Sequence, residues 1–335
     1  MRWETHRRDF LKGSLGMFAA ASAQQTNPPA RPQQTRNGAA RTNFFPGFKS
    51  MRINTSGATI NAVVGGSGPP VLMLHGYPQT HVMWHKVAPA LAERFTVVAA
   101  DLRGYGDSSK PPDGVNHVNY SKRAMAKDQV EVMAHLGFEK FAVVGHDKGS
   151  GVASRMSLDY PDKITKLAVF DTLPSPLLTY RNLTKEWATG VYHWFFLVQP
   201  SPLPETLIAN SVEFYLRSRF ERSPGAITPQ AFAEYLRCFK DPSTIHATCE
   251  DYRAGASIDL VHDEADRQQG KKVTCPLLAL WSAKGYVGRT QDVPQVWREY
   301  ATDVRGQTLP CGHFLAEELP DETYTLLRSF LLSTA

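Results

Sequence analysis

From Met51 onward, short apolar runs alternate with stretches of helical spacing, and this alternation dominates the chain. Runs at 51–56, 58–65, 70–75, 96–101, 140–146, 166–171, 276–281 and 306–310 read as strands, several of them apolar at nearly every position. Such continuous runs belong to strands covered on both faces, and strands separated by helices pair in parallel. Helical spacing recurs near 82–93, 119–136, 149–160, 291–302 and 321–332. The pattern predicts an α/β fold: a mostly parallel, eight-stranded sheet with helices on both faces. Between Asp171 and Val273 the rhythm stops. That stretch holds no clear strand and is rich in aromatics, among them Trp187, Tyr192, Trp194, Phe195, Phe196, Phe214, Tyr215 and Tyr235. Because the strand pattern resumes at Cys275, residues 172–272 are expected to be a helical cap inserted into one core made of 45–171 and 273–335.

The fifth predicted strand runs directly into Gly145-His146-Asp147-Lys148-Gly149, and a helix-like stretch follows. Small-x-nucleophile-x-small between a strand and a helix is the nucleophile elbow of the α/β-hydrolase fold. Its central residue is usually Ser; here it is Asp147. A carboxylate attacking an ester or amide gives an anhydride that readily reverts. Attack on an sp³ carbon bearing a halide or epoxide oxygen gives an alkyl ester that water can open. The elbow therefore points to carbon–halogen or epoxide opening.

Hydrolysis of such an ester needs a base and an acid that orients it. His313, in Leu309-Pro310-Cys311-Gly312-His313-Phe314 after the last strand, is the expected base, and its place in chain order suits the fold. For the acid there are two locations. The seventh strand leads into Trp281-Ser282-Ala283-Lys284-Gly285-Tyr286-Val287-Gly288, which has no carboxylate, whereas the sixth ends in Asp171. Asp171 is the expected acid, with a helix N-cap as its alternative role. His75-Gly76-Tyr77-Pro78 follows the third strand; the amides of Tyr77 and Lys148 are expected to form the oxyanion hole. Asp101 to Ser108 reads as a structural loop.

Charge changes the picture at one end only. The net charge is +5, but residues 1–42 carry seven Lys/Arg against two Asp/Glu, and the rest holds 30 of each sign. A neutral body has no field for nucleic acid or anionic lipid. Arg7-Arg8-Asp9-Phe10-Leu11-Lys12 matches the twin-arginine export motif, and Ala21-Ser22-Ala23 supplies a small-residue cleavage pattern. A signal peptide over 1–23, cut after Ala23, a disordered linker over 24–44, and a periplasmic or secreted enzyme are expected. The export machinery is then the partner of the N-terminus. No membrane anchor is expected after cleavage, since no later run nears the roughly 18 apolar residues of a membrane helix. Cys238, Cys249, Cys275 and Cys311 lack metal-type spacing; free thiols are expected, with a Cys238–Cys249 disulfide as the alternative.

His75-Gly76-Tyr77-Pro78-Gln79-Thr80, Asp101 to Ser108, Gly145-His146-Asp147, Gly312-His313-Phe314, Tyr192-His193-Trp194-Phe195-Phe196 with Gln199-Pro200, and Cys249 to Ala256 together resemble fluoroacetate (haloacetate) dehalogenases of the α/β-hydrolase fold, relatives of epoxide hydrolases. The resemblance runs from about Phe45 to the end. It implies a halide pocket formed by His193, Trp194 and Tyr252, Asp171 as the acid, and neither cofactor nor metal. Ring N–H, indole N–H and phenol O–H groups can receive a departing halide without offering a nucleophile; ordinary cap packing is the other reading of His193-Trp194.

The family continues past its nucleophile as Asp-Arg-Gly-x-Arg, two arginines that clamp the substrate carboxylate. Here those positions are Lys148 and Gly151. Lysine lacks the planar fork and glycine contributes nothing. Water and a small halogenated molecule are the expected partners, with fluoroacetate itself in question; a homodimer is left open. The competing reading is an epoxide hydrolase, which needs two cap phenols: Tyr252 can be one, while the other falls at His193, beside Tyr192. A non-catalytic binding protein is a third, opposed by the intact Asp147, Asp171 and His313.

Overall fold

The computed structural model describes residues 42–181, 183–221 and 223–333. Each of the eight expected strands is present: β1 Lys49–Asn54, β2 Thr59–Gly65, β3 Pro70–Leu74, β4 Thr96–Ala100, β5 Phe141–His146, β6 Ile164–Phe170, β7 Leu277–Ser282 and β8 Val304–Leu309. They form one sheet in the order β1-β2-β4-β3-β5-β6-β7-β8. β2 is antiparallel to both β1 and β4, and every other pair is parallel. β5 is buried at every position, which is why its sequence reads as an unbroken apolar run. The edge strand β8 instead exposes Arg305 and Gln307, which discourage pairing with another sheet.

Side-chain caps open several of the helices. Ser121 accepts from the Ala124 amide and opens Lys122–His135, while Asp292 accepts from Gln295 and opens Val293–Tyr300. The helix expected over 82–93 differs. It splits into a 3₁₀ turn, His81–Trp84, and a single α-turn, Ala88–Leu91. Pro89 is the reason, since it has no N–H to give and its ring clashes with the carbonyl one turn back.

Between β6 and β7 the described residues form eight helices and no strand. Their apolar faces, including Leu197, Leu216, Tyr235, Phe239, Ile245 and Tyr252, join the same buried cluster as the sheet. Pro242–Gly255 is the central helix of this insert, buried at each position from Ala247 to Gly255. All four cysteines are free thiols, three of them buried, so the alternative Cys238–Cys249 disulfide is not formed. Residues 1–41, where the signal peptide and most of the linker are expected, lie outside the described residues. The linker was expected to reach residue 44, yet the Phe44 ring packs edge-on against His85, 5.4 Å between centroids. The folded body therefore begins before Phe45.

Candidate active site

β5 ends at His146, and the next residue turns sharply. Asp147 takes φ +49° and ψ −116°, a conformation side chains rarely adopt, before the helix Lys148–Asp159 begins. Two glycines let the surrounding backbone close on it. A Cβ at Gly149 would stand 2.4 Å from the His75 carbonyl oxygen, and one at Gly76 would stand 2.4 Å from Asp147 Cβ. This packing aims the Tyr77 amide at the carboxylate: Tyr77 N–H donates to Asp147 Oδ1 at 2.9 Å. The loop carrying Tyr77 is braced from below, where Gln79 Nε2 donates to Glu317 Oε2 and Tyr235 O–H donates to Glu317 Oε1. Burial pushes the Glu317 carboxyl up to about 8.

Asp171 follows β6, also at positive φ (+47°). Its Oδ1 accepts the Ser282 amide at 3.0 Å and its Oδ2 lies 2.6 Å from His313 Nδ1. His313 Nε2 stands 3.8 Å from Asp147 Oδ2. The His313 carbonyl accepts from His146 Nε2 at 2.8 Å, tying the histidine loop to the elbow. Burial lowers His146 to about 4, so its ring is neutral and Nε2 carries the donated proton. The structure thus brings Asp147, His313 and Asp171 into one line at the carboxyl ends of β5, β6 and β8. Asp171 is held by its partners rather than capping a helix.

The cap supplies the opposite wall. His193 and Trp194 come from the helix Tyr192–Leu197, and Tyr252 from Pro242–Gly255. Tyr252 lies 5.2 Å from Tyr77, 5.8 Å from His193 and 6.1 Å from Trp194, ring centre to ring centre. His193 stacks on Tyr77 at 6.1 Å. These residues, with Asp147, Lys148 and His313, line a cavity of about 740 Å³.

Under this wall sits a buried charge cluster that motif reading missed. Lys148 Nζ lies 3.5 Å above the Tyr252 ring centre and 3.8 Å from Asp251 Oδ1. Lys122 Nζ bonds Asp251 and lies 3.7 Å from Asp259 Oδ2, and Tyr105 O–H donates to Asp251 Oδ2 at 2.6 Å. Burial lowers Lys148 to about 8 and raises Asp259 to about 6. It would raise Asp251 too, but Lys122 and Lys148 together hold that carboxyl low. Gly151, where the resemblance implies an arginine, lies against Lys122: a Cβ there would be 3.3 Å from Lys122 Cε. Lys148, Tyr105 and Asp251 stood inside recognisable motifs; Lys122 and Asp259 did not, and they are 137 residues apart.

Away from the cavity, Asp113, His246 and Glu250 hold metal-type ligand atoms within 4.8 Å of one another. They belong to an ion-pair network, with His246 2.9 Å from Asp113 and Arg253 2.8 Å from both Glu205 and Glu250.

A sharp turn exposing an acidic side chain at the end of a parallel strand, faced by a histidine–carboxylate pair and roofed by an inserted cap, defines an α/β-hydrolase. The chain belongs to that family: the alpha/beta hydrolase fold model matches residues 69–320. It is 43% identical over 292 residues to a fluoroacetate dehalogenase of a Burkholderia species, spanning 86% of this chain and 95% of that protein. Against a soluble epoxide hydrolase of Corynebacterium sp. (strain C12) it is 35% identical over 271 residues, 79% of this chain and 91% of the other. Among solved structures, a Nostoc sp. PCC 7120 protein provisionally assigned as an alpha/beta hydrolase matches with a TM-score of 0.84 and 57% identity, covering 86% of this chain and 99% of that one. The protein is a hydrolase.

Proposed function

We propose that this enzyme is a hydrolytic dehalogenase acting on a halogenated organic acid or a related compound through an ester at Asp147. The observation that carries the reading is the carboxylate at the elbow tip, with one oxygen on the Tyr77 amide and the other facing His313. Asp147 Oδ2 attacks the sp³ carbon; the carbon–halogen bond breaks and the halide leaves with its electron pair toward His193, Trp194 and Tyr252. His313, oriented by Asp171, then takes a proton from water while the hydroxide adds to the ester carbonyl. The 3.8 Å separation between His313 Nε2 and Asp147 Oδ2 is longer than a hydrogen bond, which suits a base that acts on water rather than on the nucleophile. Negative charge gathers on Oδ1, against the Tyr77 and Lys148 amides. Collapse releases the alcohol with the proton returned by His313, and Asp147 is restored as a carboxylate once the remaining water proton passes to solvent.

A second reading, epoxide hydrolysis, is favoured by one observation. Tyr192 and Tyr252 both line the cavity, and Tyr192 accepts an Arg219 N–H at 2.5 Å, leaving its own proton to donate to an epoxide oxygen. Both readings share Asp147, Asp171 and His313.

The deciding experiment offers the purified protein fluoroacetate, chloroacetate, chloroacetamide, a neutral chloroalkane and styrene oxide. Halide release supports dehalogenation; diol without halide from any substrate replaces it with epoxide hydrolysis. The same proposal places the mature enzyme outside the cytoplasm, and a mature N-terminus at Gln24 is the check.

A further inference from the structure

The cavity is lined by several cations, and most of them are already balanced. Lys122 and Lys148 share Asp251, and Lys122 also reaches Asp259. Arg155 pairs with Asp159, Asp263 and Asp266. Arg219, on the cap helix Val212–Phe220, differs from these. It is 7% exposed, lines the cavity, and has no carboxylate within 4.0 Å among the described residues. Its Nη2 donates to Tyr192 at 2.5 Å, and the Tyr192 and Tyr215 rings lie 4.7 and 5.4 Å from its guanidinium carbon. Ser218 Oγ lies 3.4 Å from both Nε and Nη2. Nη1 is buried with no hydrogen-bond partner among the described residues.

A guanidinium stays charged at any pH a protein experiences, and removing it from water without a counter-charge is unfavourable. Aromatic faces offset only part of that loss. A cation kept in this state beside a reaction cavity is matched by an anion that arrives with the substrate. From this we infer that Arg219 is the anion-recognition residue of the cavity, its Nη1 receiving a substrate carboxylate.

Its position also specifies the acid. The guanidinium lies over Tyr215, whose hydroxyl meets the Tyr77 hydroxyl at 2.8 Å, and it is the backbone amide at the other end of Tyr77 that touches Asp147. The contacts that connect the anion site to the nucleophile thus run through two tyrosine side chains, Tyr215 and Tyr77. The substrate class is a halo or epoxy acid whose carboxylate lies several bonds from the reacting carbon. In a haloacetate the carboxylate is bonded to that carbon directly, which makes it the acid this arrangement suits least. The 740 Å³ cavity has room for the longer molecule. This inference rests on Asp147 marking the substrate cavity.

Binding without turnover tests it. Wild type, Arg219→Met and Arg219→Lys, each checked by thermal melt, are titrated with 4-phenylbutanoate and its amide, following fluorescence from Trp187 and Trp194. Wild type is expected to prefer the acid by roughly tenfold or more. Arg219→Met should erase that preference while the amide binds as before, and Arg219→Lys should keep part of it. An acid preference that survives in Arg219→Met overturns the inference, as does equal weakening of acid and amide, which would mean Arg219 merely positions Tyr192. Weaker binding of bromide, titrated the same way, with unchanged acid binding would make Arg219 a halide receiver and overturn it as well. The parent reading fails separately, if Asp147→Asn retains full turnover.

Discussion

On the sheet side of the cavity, Asp147, Asp171 and the Tyr77 amide are fixed by backbone: strand ends, two residues at positive φ, and amides donating to both carboxylates. On the cap side, His193, Trp194, Arg219 and Tyr252 come from three helices whose placement depends on ring-to-ring contacts. Backbone constraints tolerate little change, whereas packed rings can be exchanged for others of similar volume. On the proposed mechanism the sheet wall forms and opens the ester, while the cap wall receives the leaving group and selects the substrate.

The largest expected effect lies on the sheet side. Asp147→Asn should lower turnover by roughly 10³-fold or more in a halide- or diol-release assay, because nothing else forms the ester. Retained activity would dissolve the distinction between the walls. His313→Gln or Asp171→Asn should cost roughly 10²–10⁴-fold and leave the first step intact, so intact-protein mass spectrometry should find the enzyme carrying an added substrate mass. If no adduct accumulates, ester hydrolysis is not what His313 and Asp171 accelerate. Tyr252→Phe, on the cap side, removes one donor to a developing anion and should cost roughly ten- to a hundredfold. A loss as large as that of Asp147→Asn would mean the cap takes part in the chemistry.

The smallest effects concern stability against pH. Glu317 is raised from 4.5 to about 8 by burial, so the folded state holds a proton that the unfolded chain has released, and stability falls as pH rises through that window. Lys148 is lowered from 10.5 to about 8, so the folded state releases its proton first and stability rises between about 8 and 10.5. Together these groups predict a shallow minimum in melting temperature near pH 8. Glu317→Gln should flatten the acid limb and Lys148→Gln the alkaline one, each by about 1 kcal/mol or more. Melts recorded from pH 4 to 10 would show it, and unchanged limbs in the variants would refute the assignment.

The sheet side was also the legible side. The elbow glycines, the histidine after β8 and the carboxylate after β6 announce themselves because a strand end is a local event that a few neighbouring residues encode. The charge cluster beneath the cap is not local. Lys122 meets Asp251 and Asp259 across 129 and 137 residues, and no spacing rule connects them. Arg219 sits in Val212–Phe220 beside Arg217, which forms an ordinary i,i+4 pair with Glu213. Nothing in the sequence separates the buried arginine from the exposed one. The single helix expected over 82–93 failed for a local reason that was readable, Pro89, which the apolar spacing around it outweighed.

Lys122 leaning across Gly151 has a consequence for how this enzyme can be altered. A side chain introduced at 151 would press on Lys122, which is already committed to two carboxylates, so an arginine there should disturb those pairs as well as add a cation. A shorter residue at 122 would relieve that contact, and Asp251 and Asp259 would then need the new arginine as their counter-charge. Gly151, Lys122, Asp251 and Asp259 are thus coupled through one side chain, and a charge added at 151 is felt at both carboxylates.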